Sequence, residues 1–411
     1  MKTWFYIRLA LSFVVLDALL WATSAHSFFV ANPLLAAFAV AFFAKFLILL
    51  RTRVCWRELA GLFVLLILLC GLAVFGLGYS LNWPSVVCIL GFATLGAMAM
   101  RVIWLEGDER RTAVFTLFPC IIFLAAGWTG PAMLAWTGKR QPLVLDLNLY
   151  SFDASLNIQF PFLVGQLFHR YVPLLIVAVV VYAGLPILIG LTYAGCLMSD
   201  RKRALACFIA LVIVGPVGVI FYNLFPAVGP AYLFGGNFPW HPPTIEQARH
   251  IQVQPIAIAG LRNAMPSLHA AWVYIAFWFS RNLSRWEKGL AGFFLVSTLL
   301  ATLGTGEHYI IDLVVALPFT LFILALTKWL VTGNGRMFAP PLAVGLLTTF
   351  AWLGALRSAM DVFWLSPVVP WTACLVTAIG TLWAARRFLD REAETVSREM
   401  PSQQIPERVG E

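Results

Sequence analysis

The chain has few charged residues for its length. Only 11% of its 411 residues are Asp, Glu, Lys or Arg, whereas soluble proteins typically carry about 25%. The hydrophobic share is 61% and the mean hydropathy is +0.85. This composition excludes an ordinary soluble domain and predicts an integral membrane protein.

Three further absences exclude other classes of protein. The cysteines number seven, an odd count, six of them lie within apolar runs, and none forms a Cys-x-x-Cys pair, so the sequence shows neither a disulfide framework nor that metal-binding spacing. The formal charge of +9 is scattered between apolar segments and forms no continuous basic patch, so we expect no nucleic-acid partner. The sequence also contains no internal repeat, which argues against a repeat architecture.

Long apolar runs fill most of the chain. They lack the period-2 alternation of strands and match the ~17 to 25 residues that a membrane helix needs. We therefore predict an all-α polytopic membrane protein of about twelve transmembrane helices, at 9–24, 28–50, 59–79, 83–100, 112–136, 172–198, 204–226, 266–281, 289–307, 309–327, 338–356 and 366–385.

The distribution of Lys and Arg predicts the orientation of these helices. With the N-terminus inside, 21 of the 28 Lys and Arg residues fall on the cytoplasmic side, as the positive-inside rule requires. Both termini are then cytoplasmic, in a plasma or inner membrane. The same assignment puts all six histidines at or near the outer, periplasmic or lumenal face.

Two predicted outer segments are longer than simple connectors. Residues 227–265 are rich in Gly, Pro and aromatics and predict an ordered loop or lid. Residues 139–170 contain an amphipathic stretch that predicts an interfacial helix, either a packing cap or a substrate-binding element. Its apolar face comprises Leu145, Leu149, Phe152 and Leu156, and its polar face carries Asp146 and Asp153.

His308 and Asp312 are four residues apart, at the start of an apolar run. On a helix this spacing places both side chains on one face. The aspartate can then fix the tautomer of the imidazole and leave the other ring nitrogen as a base or nucleophile. The alternative is a buried polar pair that ties two helices together.

His269 lies three residues after Pro266, 39 residues before His308. A proline suits the first turn of a helix, and the amides of Ser267 and Leu268 would there favour an anion, with Arg262 upstream to complete a phosphate site. His269 can donate a proton to a leaving oxygen. A lone histidine at the start of a helix is, however, more often a polar side chain with no chemical role. Two membrane crossings between the histidines would return them to one face.

Two of these motifs resemble a known family. PSLH (266–269) and HYIID (308–312) are similar to signature motifs of the type 2 phosphatidic acid phosphatase superfamily, most closely its inositol phosphorylceramide synthase-like (inositolphosphotransferase) branch. The resemblance implies a phosphohistidine intermediate on His308, with Asp312 as its orienting partner and His269 as the acid for the leaving group. It implies neither a metal nor another cofactor.

The resemblance also divides the chain. It implies a six-helix catalytic core at 109–331, preceded by a four-helix membrane extension at 1–108. A two-helix extension at 332–388 and a cytoplasmic tail at 389–411 would follow the core.

The sequence departs from the family pattern where phosphate is usually held. Ala301 and Thr302 occupy the Ser-Arg positions of the third motif, and no Lys or Arg lies between Arg203 and Arg249. We expect Arg262, Ser267 and Leu268 to bind phosphate instead. Further candidates for substrate contacts are Glu307, Tyr309, Asn263, Tyr222, Arg249 and His250.

The predicted function is a lipid phosphotransferase or phosphatase at the outer membrane face. Its substrate would be a phospholipid or lipid phosphate, with ceramide or an inositol lipid as candidates on the transferase reading. The missing basic residues and the branch resemblance favour transfer to an alcohol. The alternatives are a lipid phosphatase that acts on phosphatidate or a polyprenyl phosphate, a transporter or flippase with a His-Asp proton relay, and a degenerate structural protein. The sequence does not indicate the oligomeric state.

Overall fold

The computed structural model describes residues 33–52, 54–78 and 81–389. The predicted first helix at 9–24 lies outside these residues, as does the tail beyond 389. The α-helices are α1 (Pro33–Arg51), α2 (Trp56–Gly71), α3 (Trp83–Trp104), α4 (Gly107–Arg140), α5 (Asp146–Ser155), α6 (Phe160–Arg170), α7 (Val172–Ala183), α8 (Leu185–Ser199), α9 (Arg201–Leu224), α10 (Pro230–Phe234), α11 (Ile245–Arg249), α12 (Leu268–Ser280), α13 (Arg285–Gly304), α14 (Ile310–Thr332), α15 (Gly335–Ser358), α16 (Met360–Phe363) and α17 (Val368–Ala384).

Short non-α elements complete the described structure. Two-residue strands β1 (Leu143–Val144) and β2 (Ile256–Ala257) pair antiparallel, with Leu143 opposite Ala257. Segments of π-helix continue α2 and α17, at Leu72–Gly76 and Ala385–Leu389, and a 3₁₀ turn spans Gly235–Asn237. The predicted ordered loop at 227–265 therefore contains α10, the 3₁₀ turn, α11 and β2.

Eight helices in the described ranges are long and apolar enough to cross a membrane, which indicates an integral membrane protein. A ninth span results if the pair α6 and α7, bent by 115°, is counted as one. The predicted number of about twelve is therefore not confirmed. The eight are Trp56–Gly76, Trp83–Trp104, Gly107–Arg140, Arg201–Leu224, Arg285–Gly304, Ile310–Thr332, Gly335–Ser358 and Val368–Leu389.

The prediction of one continuous helix at 172–198 is wrong. The structure divides it at Gly184 into α7 and α8, and Pro186 lies in the first turn of α8. Proline has no N–H to donate to the preceding turn, so it is tolerated in a first turn and interrupts a continuous helix.

The helix predicted at 266–281 begins later than expected. Ser267 is its N-cap and accepts a hydrogen bond from the amide of Ala270, so Pro266 precedes the helix instead of occupying its first turn. The resulting α12 has 13 residues, fewer than the ~17 that a full crossing needs.

Helix α5 is present where the amphipathic stretch predicted it, but it does not lie on the surface. Nine of its ten residues are buried, including both polar-face residues, Asp146 and Asp153. It packs against α11, α14 and α16. A helix covered on both its apolar and its polar side must satisfy its carboxylates inside the protein.

Helix α14 is the centre of the bundle. It packs against α9, α12, α15 and α17, and the N-terminal helices join the bundle where α1 contacts α8. His308 precedes α14 by two residues and Asp312 lies in its first turn. Of the eight candidate membrane spans, the most buried one therefore begins with the most distinctive motif of the sequence.

The packing of α14 against α15 can be tested by substitution of a glycine at their contact. A Cβ atom at Gly345 would lie 2.5 Å from the Phe322 amide nitrogen and 2.6 Å from the Pro318 carbonyl oxygen, whereas one at Gly354 on the same helix meets nothing within 4 Å. We expect Gly345→Ala to destabilise the protein by about 1 to 3 kcal/mol, as overpacking does.

Thermal unfolding in detergent, followed by the loss of monodisperse protein, measures the effect. Gly354→Ala is the matched control and should leave the melting temperature unchanged or slightly higher, because alanine favours the helix. Equal melting temperatures for the two variants would contradict the close packing of α14 on α15.

Candidate active site

The structure brings His308 and Asp312 together as predicted from their spacing. His308 Nδ1 lies 3.3 Å from Asp312 Oδ2 and 3.0 Å from the carbonyl oxygen of Ala264. A carbonyl oxygen only accepts hydrogen bonds, so Nδ1 carries the proton. Neutral His308 therefore keeps its lone pair on Nε2, the form that a nucleophile or base requires.

The surroundings of His308 favour its neutral form. Its side chain is only 1% exposed. Burial lowers the pKa of His308 to about 4, although the Glu307 carboxylate and the hydrogen bond to Ala264 act in the opposite direction. The imidazole is therefore uncharged at neutral pH, with Nε2 unprotonated.

His269 enters the same site from α12. Its ring centroid lies 6.5 Å from that of His308, with an angle of 61° between the ring planes. Trp272, one turn further along α12, packs edge-on against His269 at 5.8 Å. The structure thus brings His269, from one segment of the sequence, to His308 and Asp312, which lie together on another.

Tyr182 is a neighbour of His269 that the sequence analysis missed. Its hydroxyl lies 3.1 Å from His269 Nδ1, and the two rings stack with centroids 4.2 Å apart. Tyr182 stands 87 residues before His269 in α7. No local pattern connects two positions so far apart, so only the fold could reveal the contact.

Helix α5 holds the backbone around His308 with two carboxylates. Asp146 accepts hydrogen bonds from the amides of Val228 and Gly229 and from the hydroxyl of Tyr309. Asp153, seven residues later on the same face, accepts from the first amides of α14, those of Ile310 and Ile311, at 2.8 and 3.3 Å.

Burial raises the pKa of Asp146 to about 6, against the hydrogen bonds from Gly229 and Val228, which lower it. Burial likewise raises the pKa of Asp153, against its amide donors. Of the two interpretations left open by the sequence, the contacts describe a packing element, with the carboxylates turned to backbone and to Tyr309.

The two loops beside His308 approach closely because glycine is present. Gly229 has φ +107°, and a Cβ atom there would lie 2.4 Å from the Glu307 carbonyl oxygen. Gly306 has φ +74°, and its Cβ would lie 2.7 Å from that of Ala231. Both backbones adopt conformations that side chains resist, so the glycines of this region serve the contact between loops.

Arg262 is buried close to the site but makes structural contacts. Its Nε, NH1 and NH2 nitrogens donate to the carbonyl oxygens of Gln141, Gly260 and Pro142, respectively. These bonds join the segment before α12 to the end of α4. A phosphate-binding role for Arg262 stays a prediction, and the guanidinium would have to serve it with its remaining two N–H groups.

The amides predicted to bind phosphate also have protein partners. The Ser267 amide lies 3.4 Å from the Asp312 carbonyl oxygen, and the Leu268 amide hydrogen-bonds to the hydroxyl of Tyr222. The backbone at the start of α12 is therefore tied to α14 and α9.

The remaining candidates divide into two groups. Glu307 and Tyr309 flank His308, and the buried side-chain oxygen of Asn263 has no partner among the described residues. Arg249 and His250 are exposed: Arg249 donates to the Trp364 carbonyl, and His250 pairs with Glu246 at 2.8 Å. The first group therefore lies next in sequence to His308 or to Ala264, the residue whose carbonyl His308 contacts, whereas the second group has partners on the surface.

Among the residues that the structure describes, no group of three or more His, Cys, Asp or Glu side chains is arranged to hold a metal ion.

Comparison with known proteins supports the resemblance at the level of the superfamily. Residues 147–326 match the family model described as the PAP2 superfamily. This range contains α6 to α13 and both histidines. Neither the comparison with curated proteins nor the comparison with solved structures gave a significant match.

The lowered pKa of His308 can be tested by titration of its imidazole. Because the folded-state pKa lies below the ordinary value, His308 should stay neutral as the pH falls from about 8 to about 5. In protein labelled with ¹⁵N-histidine, the resonances that His308→Gln removes should show the Nδ1–H tautomer and should not titrate over this range. A midpoint at pH 6 or above for these resonances would contradict the buried, neutral imidazole.

Proposed function

We propose that this chain, whose residues 147–326 match the PAP2 superfamily, is a membrane enzyme that transfers a phosphoester group from a lipid to an alcohol. The observation that carries the proposal is the pair of histidine rings 6.5 Å apart, each with its Nδ1 atom engaged by the protein. Both Nε2 atoms then remain for one reacting phosphorus.

The first half of the reaction would place the phosphoester group on His308. Its Nε2 lone pair attacks phosphorus, an N–P bond forms, and the P–O bond to the leaving alcohol breaks. His269 begins this step protonated on both ring nitrogens, a form that the negative charge of the bound phosphoester favours, and it donates its Nε2 proton to the departing oxygen while keeping the proton on Nδ1. The ring of His308 becomes positively charged, and Asp312 Oδ2 and the Ala264 carbonyl stabilise that charge at Nδ1.

The second half would reverse these steps with the acceptor. The acceptor hydroxyl gives its proton to His269 Nε2 while its oxygen attacks phosphorus. The new P–O bond forms, the N–P bond breaks, and His308 returns to its neutral form. No cofactor enters the proton or electron balance, and positioning of the two histidines supplies most of the catalysis.

The charges around the histidines favour a phosphodiester substrate over a phosphomonoester. The carboxyl groups of Glu307 and Asp312 flank His308, whereas Arg262 is committed to three carbonyl oxygens. A monoester carries close to two negative charges and a diester one, and each unit of repulsion at about 5 Å is worth roughly 3 kcal/mol at an effective dielectric of 20. A phospholipid with a head group is therefore the better donor.

This preference supports transfer of the inositol phosphorylceramide synthase type, in which a head-group phosphate passes from a phospholipid to a lipid alcohol such as ceramide. Water as the acceptor would instead make the enzyme a phosphatase. The positive-inside pattern of the sequence supports a site that opens to the outer face, with both termini cytoplasmic. In this proposal the core at 109–331 performs the chemistry.

The purified protein should convert lipids through His308. We expect His308→Ala to lower turnover at least about a thousandfold, as loss of a nucleophile does. The assay incubates lipid monophosphates and ³²P-labelled phospholipids with and without ceramide, glycerol or inositol, and separates the products. A new phosphate-containing lipid indicates transfer, and free phosphate indicates hydrolysis.

The exposed residue His241 provides the matched control, since His241→Ala also removes an imidazole. This variant should keep the wild-type rate. Equal rates for wild type and His308→Ala would overturn the proposed mechanism.

Repulsion between the Glu307 carboxylate and the substrate phosphate predicts that Glu307→Gln changes the substrate preference. Removal of a negative charge beside His308 should help a dianionic monoester more than a monoanionic diester. Because one unit of repulsion is worth roughly 3 kcal/mol, we expect the ratio of kcat/KM for the monoester to that for the diester to rise about a hundredfold at pH near 8.

Glu246→Gln removes a carboxylate that is 73% exposed and paired with His250, so it controls for a general loss of charge and should leave the ratio unchanged. An unchanged ratio in Glu307→Gln as well would show that Glu307 does not select the substrate by its charge.

A further inference from the structure

The two histidines have different partners at Nδ1. His308 is held by a carboxylate oxygen and a backbone carbonyl, whereas His269 is held by the hydroxyl of Tyr182. The Tyr182 ring also stacks on His269, with 24° between the two planes. The phenol therefore fixes both the hydrogen bond and the orientation of the imidazole.

A phenol and a carboxylate affect an imidazole differently. A carboxylate stabilises the protonated ring and makes it a weaker acid. A tyrosine hydroxyl is uncharged at neutral pH, and its oxygen can still accept a hydrogen bond from Nδ1–H. His269 can thus keep its Nδ1 proton on Tyr182 while Nε2 gains or loses a proton, without the added basicity that a carboxylate would confer.

We propose that Tyr182 is the positioning residue of His269, and that the site pairs a carboxylate-supported nucleophile with a phenol-supported acid. The inference rests on the proposed function, because it assigns His269 the task of protonating the leaving group. Tyr182 acts through His269 and transfers no proton to the substrate.

The position of Tyr182 in the fold agrees with this role. It is the penultimate residue of α7. This helix follows the 115° bend, and Gly184 is its C-cap. Helix α7 packs on α13, the helix between the two histidines. The Glu307 carboxylate interacts electrostatically with Tyr182 and with His308, so one acidic side chain borders both halves of the site.

Leaving-group dependence distinguishes this role from a structural one. Tyr182→Phe retains the stacked ring and removes only the hydroxyl. The informative rate is leaving-group release in a single turnover, because it reports only the first half of the reaction. With a phospholipid whose leaving group is a primary alcohol, we expect this rate to fall about tenfold or more in Tyr182→Phe with little change in substrate affinity. With an otherwise identical phospholipid that releases p-nitrophenol, which departs without a proton, the rate should change less than twofold.

Tyr150→Phe is the matched control, because the Tyr150 hydroxyl pairs with Gln159 and has no histidine partner among the described residues. It should leave both rates unchanged. An equal loss of the single-turnover release rate with both leaving groups in Tyr182→Phe, or no loss with either, would overturn the proposal.

A measurement that does not depend on turnover separates the two proposals. In ¹⁵N-histidine spectra of the full-length protein, His269 is assigned by its loss in His269→Gln. We expect Tyr182→Phe to shift the Nδ1 resonance of His269, to leave that of His308 in place, and Tyr150→Phe to shift neither. If the wild type converts no lipid but this shift is seen, the proposed reaction fails and the Tyr182 contact stands; if the His269 resonance does not move, the positioning role is wrong whatever the activity.

Discussion

The arrangement of the site depends on two buried carboxylates of α5. A carboxylate removed from water is strongly destabilising unless hydrogen bonds replace its hydration. Asp146 meets this requirement with amides of the 228–229 loop and the Tyr309 hydroxyl, and Asp153 meets it with the first two amides of α14. Because the two aspartates share one helix face, they fix the loop and the start of α14 relative to each other. His308 lies between these attachment points, and its position follows from them.

The same attachment orients each histidine by a different route. The backbone of Ala264, from the segment before α12, reaches His308 Nδ1 across the site, so the segment that leads to His269 also orients His308. His269 is in turn oriented from α7, outside both motifs. The histidine pair is therefore positioned by four segments, α5, α7, α12 and α14, and displacement of any one of them changes the distance between the rings.

Sequence reasoning could predict the features that depend on local spacing or on bulk composition. The membrane class follows from apolar runs, the His308–Asp312 contact from an i, i+4 spacing, and the shared face of Asp146 and Asp153 from an i, i+7 spacing. It could not predict the partners of these groups, since Tyr182, Ala264 and Val228 lie 44 to 87 residues from the side chains they contact. The error at α12 arose because Pro266 was assigned a place inside the helix, whereas Ser267, a better N-cap, begins it. The broken helix at 172–198 was overlooked because its apolar composition is continuous, although Gly184 and Pro186 mark the break.

The hydrogen-bond partners of the backbone amides around the histidines also bear on the charge that the substrate can carry. Anions are commonly bound by free N–H groups at helix N-termini, but at the start of α14 the amides of Tyr309, Ile310 and Ile311 already donate to Asp312 and Asp153. The Val228 and Gly229 amides donate to Asp146, and those at the start of α12 bond to Ser267, Asp312 and Tyr222. The positive ends of both helices are thus largely balanced by the protein's own acceptors. A site that has used its amides and its arginine to stabilise itself retains little positive potential for a second phosphate charge, and this supports the proposed phosphodiester substrate.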